Sequence, residues 1–302
     1  MARRFIGVDV GGTKVAAALL EGTSMSEPVV EPTDVSGEEA LLDQIAALVK
    51  RLGPADAVGV GVPSVIDHAA GAVRHSVNVP LHRVPLRDLL ADRLGVPVCI
   101  DNDATVAALA EAHDDDLRPV SDSLVMFTVG TGVGGGIVLG GRIYRGATGA
   151  AGEIGHQLIG ADFSRGGPPS TDRFPQPGSL EILASGGALG ALATERGFAD
   201  GRAAVAAARA GDAAAREVIE VVAERLGVGV ANAINIFDPE EVVIGGGVSA
   251  AGELLLGPVE RTARRFVLPG VGTRTVIRLA RHGPLAGVRG AALLALQEAP
   301  LS

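Results

Sequence analysis

The sequence predicts an α/β protein of two domains, each built around a largely parallel sheet. With 302 residues the chain exceeds the length at which a single hydrophobic core usually stops growing. Apolar, strand-like segments alternate with helical segments, which favours parallel strands. A strand, a glycine turn and a second strand occur near the N-terminus and again from residue 123, which indicates a weak internal repeat with one copy in each domain.

The first hairpin spans residues 5–20, with the turn Gly-Gly-Thr-Lys at 11–14. The apolar run after this turn is short for a helix, whereas the glycines of a Walker A loop or a Rossmann fingerprint open one. Neither of those motifs therefore fits. Asp9 ends the first strand and is a candidate to hold hydrated magnesium, while the glycine amides can approach phosphate oxygens closely. A plain glycine hairpin with an Asx turn is an equally good interpretation of this motif alone.

The next elements alternate between helix and strand. Ser36 and Glu39 form a capping-box pattern before a helix that ends at Gly53. A strand over 57–62, a helix over 85–94 and a strand over 96–100 follow.

Asp101, Asn102 and Asp103 come next, ahead of a helix predicted over 104–112. They lie at the carboxyl end of a strand, where α/β proteins place ligands. One of the three is expected to cap the helix, and three such residues exceed that need. Asp103 is the candidate base that accepts the proton from an attacking hydroxyl, and Asn102 is a candidate to bind a sugar.

The second hairpin joins a strand over 123–129 to a strand over 137–139 through a glycine loop at 130–136. Two phosphate-cradling hairpins in separate domains suit a nucleotide gripped between them. Helical sequence over 203–237 follows, and then a strand over 242–244 leads into three glycines at 245–247, which are expected to open a helix near an adenosine. Tight strand-to-helix packing alone would also favour glycine there. A terminal helix is predicted over 288–297.

Glu153 and His156 lie in the segment Gly-Glu-Ile-Gly-His at 152–156. A carboxylate and an imidazole on flexible backbone can hydrogen-bond several sugar hydroxyls. An isolated glutamate and histidine in a loop, however, are usually surface residues.

Composition narrows the class of protein further. The formal charge is −9, and Arg3-Arg4 is the only basic cluster that stands out, which argues against a nucleic-acid partner. No apolar run is long enough for a membrane span, and Asp9 interrupts the N-terminal apolar stretch, so we expect no signal peptide and a cytoplasmic protein. The single cysteine, Cys99, is expected to be a buried strand thiol, and a disulfide within the chain is impossible.

Taken in order, Asp-Val-Gly-Gly-Thr-Lys at 9–14, Asn-Asp at 102–103, the loop at 130–136, Glu-Ile-Gly-His at 153–156 and the glycines at 245–247 resemble the ROK family of repressors, open reading frames and kinases, especially its bacterial glucokinases. The resemblance spans nearly the whole chain. It implies an actin-like, ribonuclease-H-like ATPase fold of two domains with a cleft between them, ATP in that cleft, and a sugar deep inside it. We place the domains at 1–115 plus 286–302 and at 116–285.

The same resemblance implies roles for individual residues. It assigns Asp103 as the catalytic base. It implies sugar contacts from Asn78, Asn102, Glu153, His156 and Glu181. It implies contacts to ATP from Asp9, Gly11, Gly12, Thr13, Lys14, Gly130, Thr131, Gly132, Gly134, Gly245, Gly246 and Gly247. Magnesium would be held by Asp9 through water, and the assembly would be a homodimer or homotetramer.

One departure from the family pattern concerns zinc. Members usually carry three cysteines after the Glu-x-Gly-His segment, and these join the histidine around a structural zinc. This chain has no cysteine there, and Ser179 stands where the last ligand would be. Serine and proline do not replace thiolates, so we predict a zinc-free member whose loop over 157–180 is held by proline stiffness and packing.

The leading functional hypothesis is an ATP-dependent hexose kinase, with glucose favoured because Asn-Val-Pro at 78–80 resembles the glucokinase branch. A kinase for an N-acetylated or other hexose is the nearest alternative, with polyphosphate as an alternative phosphoryl donor. A non-catalytic sugar sensor and an ATPase acting on a protein partner are alternatives from other classes.

Overall fold

The computed structural model describes residues 2–76, 78–164, 166–168 and 170–300. The chain divides into two compact units. The first comprises Met1–Asp122, Gly136–Gly152 and His282–Ser302, and the second comprises Ser123–Gly135 and Glu153–Arg281. This division differs from the predicted one at 1–115 plus 286–302 and 116–285. The segment from Gly136 joins the first unit because it packs against a helix there: a methyl group added at Gly136 would lie 2.7 Å from Ala108 Cβ and 2.8 Å from the Ala104 carbonyl oxygen.

Six strands form the main sheet of the first unit. Their bounds are β1 Arg4–Val10, β2 Lys14–Glu21, β3 Ser24–Met25, β4 Val29–Pro32, β5 Ala57–Val62 and, further along the chain, β8 Val98–Asn102. The sheet runs in the order β3-β2-β1-β5-β8, with β4 also paired to β2. β1 is antiparallel to β2 and parallel to β5, which in turn is parallel to β8. Two further strands, β6 Ser64–Asp67 and β7 Ala72–Ser76, pair with each other.

A five-stranded sheet contains strands β9 to β13 in the order β11-β10-β9-β12-β13. Their bounds are β9 Ser123–Val129, β10 Val133–Leu139, β11 Arg142–Ile143, β12 Glu241–Gly245 and β13 Val276–Leu279. β12 is parallel to both β9 and β13. Each of these two sheets thus contains a glycine turn between two consecutive strands, and parallel strands beside the first of them.

The helices are α1 Glu38–Leu52, α2 Leu86–Leu94, α3 Asp103–Glu111, α4 Leu180–Ala184, α5 Gly186–Glu195, α6 Gly201–Arg209, α7 Ala213–Phe237, α8 Glu253–Phe266 and α9 Ala286–Glu298. Short 3₁₀ helices span Ile154–His156, Gly247–Ala251 and Gly283–Leu285. Within the described ranges, no helix is both long and apolar enough to cross a membrane.

Several predicted boundaries differ from the structure. α1 ends at Gly53 as predicted, but its N-cap is Gly37, and the hydroxyl of Ser36 donates to Asp34 instead, so the capping-box prediction was wrong. β8 continues two residues past 100, because its parallel pairing with β5 extends to Asn102. The helical stretch over 203–237 is two helices, since Asp212 caps α7 by accepting from the Ala215 amide at 2.9 Å.

Helix α9 lies against the sheet of the first unit with backbone close to backbone. A methyl group added at Gly59 of β5 would lie 1.8 Å from the Ala291 carbonyl oxygen, and one at Gly7 of β1 would lie 1.9 Å from that of Val288. Glycine is therefore the residue that fits at both strand positions. The last helix of the chain is in this way held directly beneath the strands that end at the candidate site.

Candidate active site

Asp9 lies near the carboxyl end of β1, among charged neighbours within the first unit. Burial raises the pKa of Asp9 to about 7, the negative charge of Asp103 adds to this effect, and the positive charge of Lys14 opposes it. Gly287, in the first turn of α9, also borders this carboxylate, because a methyl group there would lie 2.3 Å from Asp9 Oδ2. The structure therefore brings Asp9, Lys14 and Asp103 together, as a site at this edge of the sheet requires.

The glycine turn at 11–14 closes the hairpin between β1 and β2. The Gly11 amide donates to the Lys14 carbonyl oxygen at 2.9 Å, and the hydroxyl of Thr33 donates to the Gly11 carbonyl oxygen at 2.6 Å. Gly12 borders Asn78, whose Cβ would lie 3.0 Å from a methyl group added at Gly12. The exposed side chain of Asn78, a predicted sugar contact, is thus placed beside the predicted nucleotide turn.

Asn102 is the member of the Asp-Asn-Asp segment that caps α3. Its Oδ1 accepts from the amides of Ala104 at 2.9 Å and Thr105 at 3.1 Å. Its Nδ2 donates to the Ser64 carbonyl oxygen at 3.3 Å. Asp103 is the first residue of α3, and its Oδ1 also accepts from the Ala104 amide, at 2.9 Å. The carboxylate of the predicted base is therefore held at a helix N-terminus, where negative charge is favoured.

Sequence reasoning missed the partners of Asp101, the residue before this cap. Asp101 is buried, with 2% of its surface exposed. Its Oδ2 accepts from Arg145 Nε at 2.8 Å, and Arg145 Nη2 donates to both carboxylate oxygens of Glu298 at 2.8 Å. No local pattern reveals these contacts, because Arg145 follows Asp101 by 44 residues and Glu298 follows Arg145 by 153.

In the second unit, the loop between β9 and β10 is tied to Glu181. The Gly130 amide donates to the Gly132 carbonyl oxygen at 2.9 Å. Glu181 Oε2 accepts from the Val133 amide at 2.8 Å, and a methyl group added at Gly132 would lie 2.3 Å from the same oxygen. A predicted sugar contact and the predicted nucleotide loop are therefore in direct contact. Thr131 is exposed and Gly134 partly exposed in this loop.

The glycines at 245–247 lie next to that loop. Gly246 has a φ of 82°, and a methyl group added to it would lie 2.5 Å from the Val129 carbonyl oxygen, so only glycine fits. The two glycine segments are bridged by Gly186, whose amide donates to the Gly130 carbonyl oxygen at 2.7 Å and whose added methyl group would lie 3.3 Å from Val248. The element that Gly247 opens is the 3₁₀ helix Gly247–Ala251, which precedes α8.

Glu153 and His156 lie on the 3₁₀ turn Ile154–His156 and its N-cap. Glu153 Oε2 and His156 Nε2 are 3.7 Å apart, and both side chains are exposed. Between them, Gly155 packs so closely on β10 that an added methyl group would lie 2.0 Å from the Val133 carbonyl oxygen. The same residue, Val133, thus contacts Glu181 through its amide and the Glu153–His156 turn through its carbonyl.

Ser179, at the position of the absent cysteine, has a structural role. It is fully buried and caps α4, with its Oγ accepting from the Ile182 amide at 3.5 Å. Backbone hydrogen bonds close the loop around it, from Ile159 to the Gly178 carbonyl at 2.9 Å and from Leu180 to the Gln157 carbonyl at 2.8 Å. Among the residues with described positions, no group of three His, Cys, Asp or Glu side chains is arranged to hold a metal ion. The predicted proline contribution includes Pro169, which lies outside the described residues.

A model of the ROK family matches residues 5–298. The chain belongs to the ROK family. It is 37% identical to a glucokinase from Halalkalibacterium halodurans, over 98% of this chain and 96% of the relative. It is 34% identical to an N-acetyl-D-glucosamine kinase from Escherichia coli, over 97% of this chain and 100% of the relative. The crystal structure of a ROK family glucokinase from Streptomyces griseus, in complex with glucose and AMPPNP, matches with a TM-score of 0.80 and 31% identity, covering 98% of this chain and 100% of that one.

These similarities confirm the family and the fold class predicted from the motifs, a mixed α/β fold of the actin-like ATPase type. The cysteine content of the chain departs from the ROK pattern. The chain contains one cysteine, Cys99, which lies in the first unit, so three thiolates cannot join His156 around a zinc ion. The roles of the individual site residues remain predictions.

Proposed function

We propose that this ROK protein is an ATP-dependent hexose kinase that converts glucose and ATP to glucose 6-phosphate and ADP. The observation that carries the proposal is the placement of Asp103 beside Asp9 and Lys14, at the strand ends of a chain whose full-length relatives include a glucokinase. Asp103 is the general base. Asn78 and Asn102 in the first unit, and Glu153, His156 and Glu181 in the second, bind the sugar hydroxyls.

In the proposed reaction, Asp103 accepts the proton of the sugar C6 hydroxyl as that oxygen attacks the γ-phosphorus. The new oxygen–phosphorus bond forms as the bond from the γ-phosphorus to the β,γ-bridging oxygen breaks, and ADP leaves with that oxygen. Lys14 contributes a positive charge near the transferred phosphoryl group, and the amides of the glycine turns donate to phosphate oxygens.

Asp9 has the properties expected of a magnesium ligand. Oxygen donors suit this ion, which commonly retains several waters. Because burial and Asp103 both disfavour the ionised form of Asp9, a nearby divalent cation would lower the electrostatic cost of keeping Asp9 charged. Magnesium bound there through water would neutralise part of the phosphate charge.

Two glycines of the second unit support the assignment of the nucleotide site, because packing does not explain why these residues are glycine. A methyl group added at Gly130 or at Gly247 would meet no atom within 4 Å, and neither residue has a φ in the left-handed region. Folding alone therefore does not require glycine at either position. Close approach of a ligand to the backbone would account for glycine at both, and the phosphates and ribose of ATP are such a ligand.

An N-acetylated hexose is the second candidate acceptor, because the N-acetyl-D-glucosamine kinase relative is 34% identical over a comparable length. We further propose that the enzyme is cytoplasmic, works as a homodimer or homotetramer, and contains no zinc. Sedimentation of the purified protein and its metal content test the last two statements directly.

The decisive experiment measures ADP release from magnesium-ATP with glucose, N-acetylglucosamine, mannose and no sugar, and with polyphosphate replacing ATP. Asp103→Asn is expected to lower kcat by about 10²- to 10⁴-fold, because it removes the base without changing the side-chain shape. Asp88→Asn is the matched control, since Asp88 is exposed on α2 and pairs only with Arg87 among the ion pairs of the described chain. A folded protein that releases ADP at the same rate with and without every sugar would refute the kinase proposal and favour an ATPase or a sensor.

A further inference from the structure

Asp101 is a buried charge attached directly to the segment that carries the proposed base. Its Oδ1 accepts from the Asn102 amide at 2.8 Å, and this amide belongs to the residue that caps α3. Its Oδ2 accepts from Arg145 Nε at 2.8 Å. A buried carboxylate is costly unless it is paired and hydrogen-bonded, so the position of Asp101 depends on the guanidinium beside it.

Arg145 holds two carboxylates at once through different nitrogens of its planar guanidinium. Nε donates to Asp101, and Nη2 donates to both oxygens of Glu298. The carbonyl oxygen of Arg145 also accepts from the Ala151 amide at 3.1 Å, in the segment that leads to Glu153. A lysine ammonium, which is a compact point charge on a flexible stem, does not reproduce this fork.

His68 also faces Asp101 among the described residues, but it supplies no compensating charge. Its Nε2 lies 3.6 Å from Asp101 Oδ1 and has no hydrogen-bond partner among the described residues. Burial, reinforced by the positive charge of Arg145, lowers the pKa of His68 to about 4, so the ring is neutral at neutral pH. Asp101 therefore depends on Arg145 for its positive partner.

We propose that Arg145 is a positioning residue for the reaction: it orients Asp101, and Asp101 in turn fixes the Asn102 amide and so the turn from which Asp103 projects. This inference rests on the proposed role of Asp103 as the base. Burial already raises the pKa of Asp101, and loss of the neighbouring guanidinium would raise it further. The carboxyl group would then become protonated or turn away, and the turn at 101–103 would lose its fixed geometry.

The first test compares Arg145→Met with Arg87→Met. Both arginines line one cavity of about 470 Å³, together with His68, Cys99 and Glu298, but Arg87 pairs with the exposed Asp88 and not with Asp101. We expect Arg145→Met to lower kcat by about 10²-fold, the loss typical of a misplacement of 1 Å, with the KM for ATP unchanged. Arg87→Met should retain the wild-type kcat. Equal kcat values in wild type and a folded Arg145→Met protein would overturn the proposal.

Chemical rescue separates positioning from a general loss of structure. Arg145 is 23% exposed and lines the cavity, so a small soluble cation can reach the space that its side chain leaves. Millimolar methylguanidinium should restore part of the kcat of Arg145→Ala and leave Arg87→Ala unaffected. If Arg145→Ala fails to fold, Arg145→Lys serves instead, since it retains one charge but only one of the two carboxylate contacts. Full kcat in Arg145→Lys would contradict the proposed fork.

A measurement independent of activity distinguishes failure of this inference from failure of the proposed function. Hydrogen exchange at the amides of Asn102, Ala104 and Thr105 should be faster in Arg145→Met than in wild type and unchanged in Arg87→Met. If wild type phosphorylates no sugar, the kinase proposal fails, while this exchange experiment still reports whether Arg145 holds the turn. Equal exchange at these amides in all three proteins would overturn the positioning role.

Discussion

Gly287→Ala is the substitution that should most clearly separate an effect on activity from an effect on stability. Gly287 lies in the first turn of α9, and a methyl group there would lie 2.3 Å from Asp9 Oδ2, 2.4 Å from Cγ and 2.8 Å from Oδ1. Ordinary contact begins near 3.4 Å, so the Asp9 carboxylate must move by about 1 Å. The neighbour that yields is a short side chain rather than backbone, which allows the fold to persist.

The energetic consequences follow from these distances. Alanine replaces glycine within a helix, which favours folding by about 1 kcal/mol, or about 2 °C in Tm for a chain of this size. Displacing a buried carboxylate opposes this gain, so we expect a Tm close to that of wild type. Activity should respond far more strongly, because a displacement of 1 Å in a positioned group costs about 10²-fold in rate.

Sugar-dependent ADP release and thermal unfolding, measured on the same preparation, test this expectation. Gly190→Ala in α5 is the matched control: it makes the same chemical change within a helix, but the added methyl group meets no atom within 4 Å. This control should gain stability and keep full activity. If Gly287→Ala is as active as Gly190→Ala, Asp9 does not act from the position that the structure gives it.

Three further predictions concern single polar side chains. Because the folded-state pKa of Asp9 lies above its unfolded value, the stability associated with its proton is lost as pH rises from about 4 to about 7. Asp9→Asn should therefore gain stability over the nucleotide-free wild type as pH rises through this range, by up to about 4 kcal/mol in urea unfolding. A stability advantage that is independent of pH would contradict this expectation. Ser179→Ala should lower the free energy of unfolding by about 1 kcal/mol, because it removes the N-cap of α4. Treatment with a zinc chelator should leave the Tm of the wild type unchanged, and a fall in Tm would indicate a structural zinc. Glu181→Ala should raise the KM for both glucose and ATP, because Glu181 accepts a hydrogen bond from the Val133 amide of the glycine loop. The loss of this charge-assisted bond is worth about 1.5–3 kcal/mol. A change in the KM for glucose alone would show that Glu181 does not link the sugar site to the nucleotide loop.

Local signals predicted much of the fold. The apolar run before the first glycine turn is β1, and its antiparallel partner β2 follows directly. In the second hairpin β9 and β10 also pair, but β10 begins at Val133, so the predicted loop over 130–136 is longer than the observed one. The Gly53 stop of α1 and the Gly95 stop of α2 are also where the sequence predicts them. These features depend on backbone preferences of a few consecutive residues, which a single sequence carries in full.

Competition between neighbouring residues for the same hydrogen bonds explains why some of the predictions from local sequence patterns were wrong. Ser36 and Glu39 have the spacing of a capping box, yet Asp34 takes the Ser36 hydroxyl and Gly37 occupies the cap. In the Asp-Asn-Asp segment, all three residues are good caps, and the sequence alone leaves the choice open. In the structure the cap is Asn102, because β8 continues through Asn102 and α3 begins at Asp103.

Long-range contacts explain what sequence reasoning could not supply. The partners of the proposed catalytic segment carry no motif, and they are distant in sequence: Arg145 follows Asp101 by 44 residues, and Glu298 follows Arg145 by 153. Gly287 likewise belongs to none of the motifs that the sequence analysis identified, although a methyl group added there would lie 2.3 Å from Asp9 Oδ2. A residue selected by what lies against it in space leaves no periodic signature in its own surroundings.

The glycines of the candidate site fall into two physical classes, and the distinction bears on function. At Gly246, backbone conformation and contact with Val129 exclude any side chain, so folding alone explains glycine there. Gly130 and Gly247 have open space around them and a φ outside the left-handed region, so the fold does not explain why glycine occupies these positions. Alanine at either open position should therefore leave stability intact and weaken ATP binding, whereas alanine at Gly246 should destabilise the second unit itself. The motif as a whole is uniform in sequence, but only part of it is expected to touch the nucleotide.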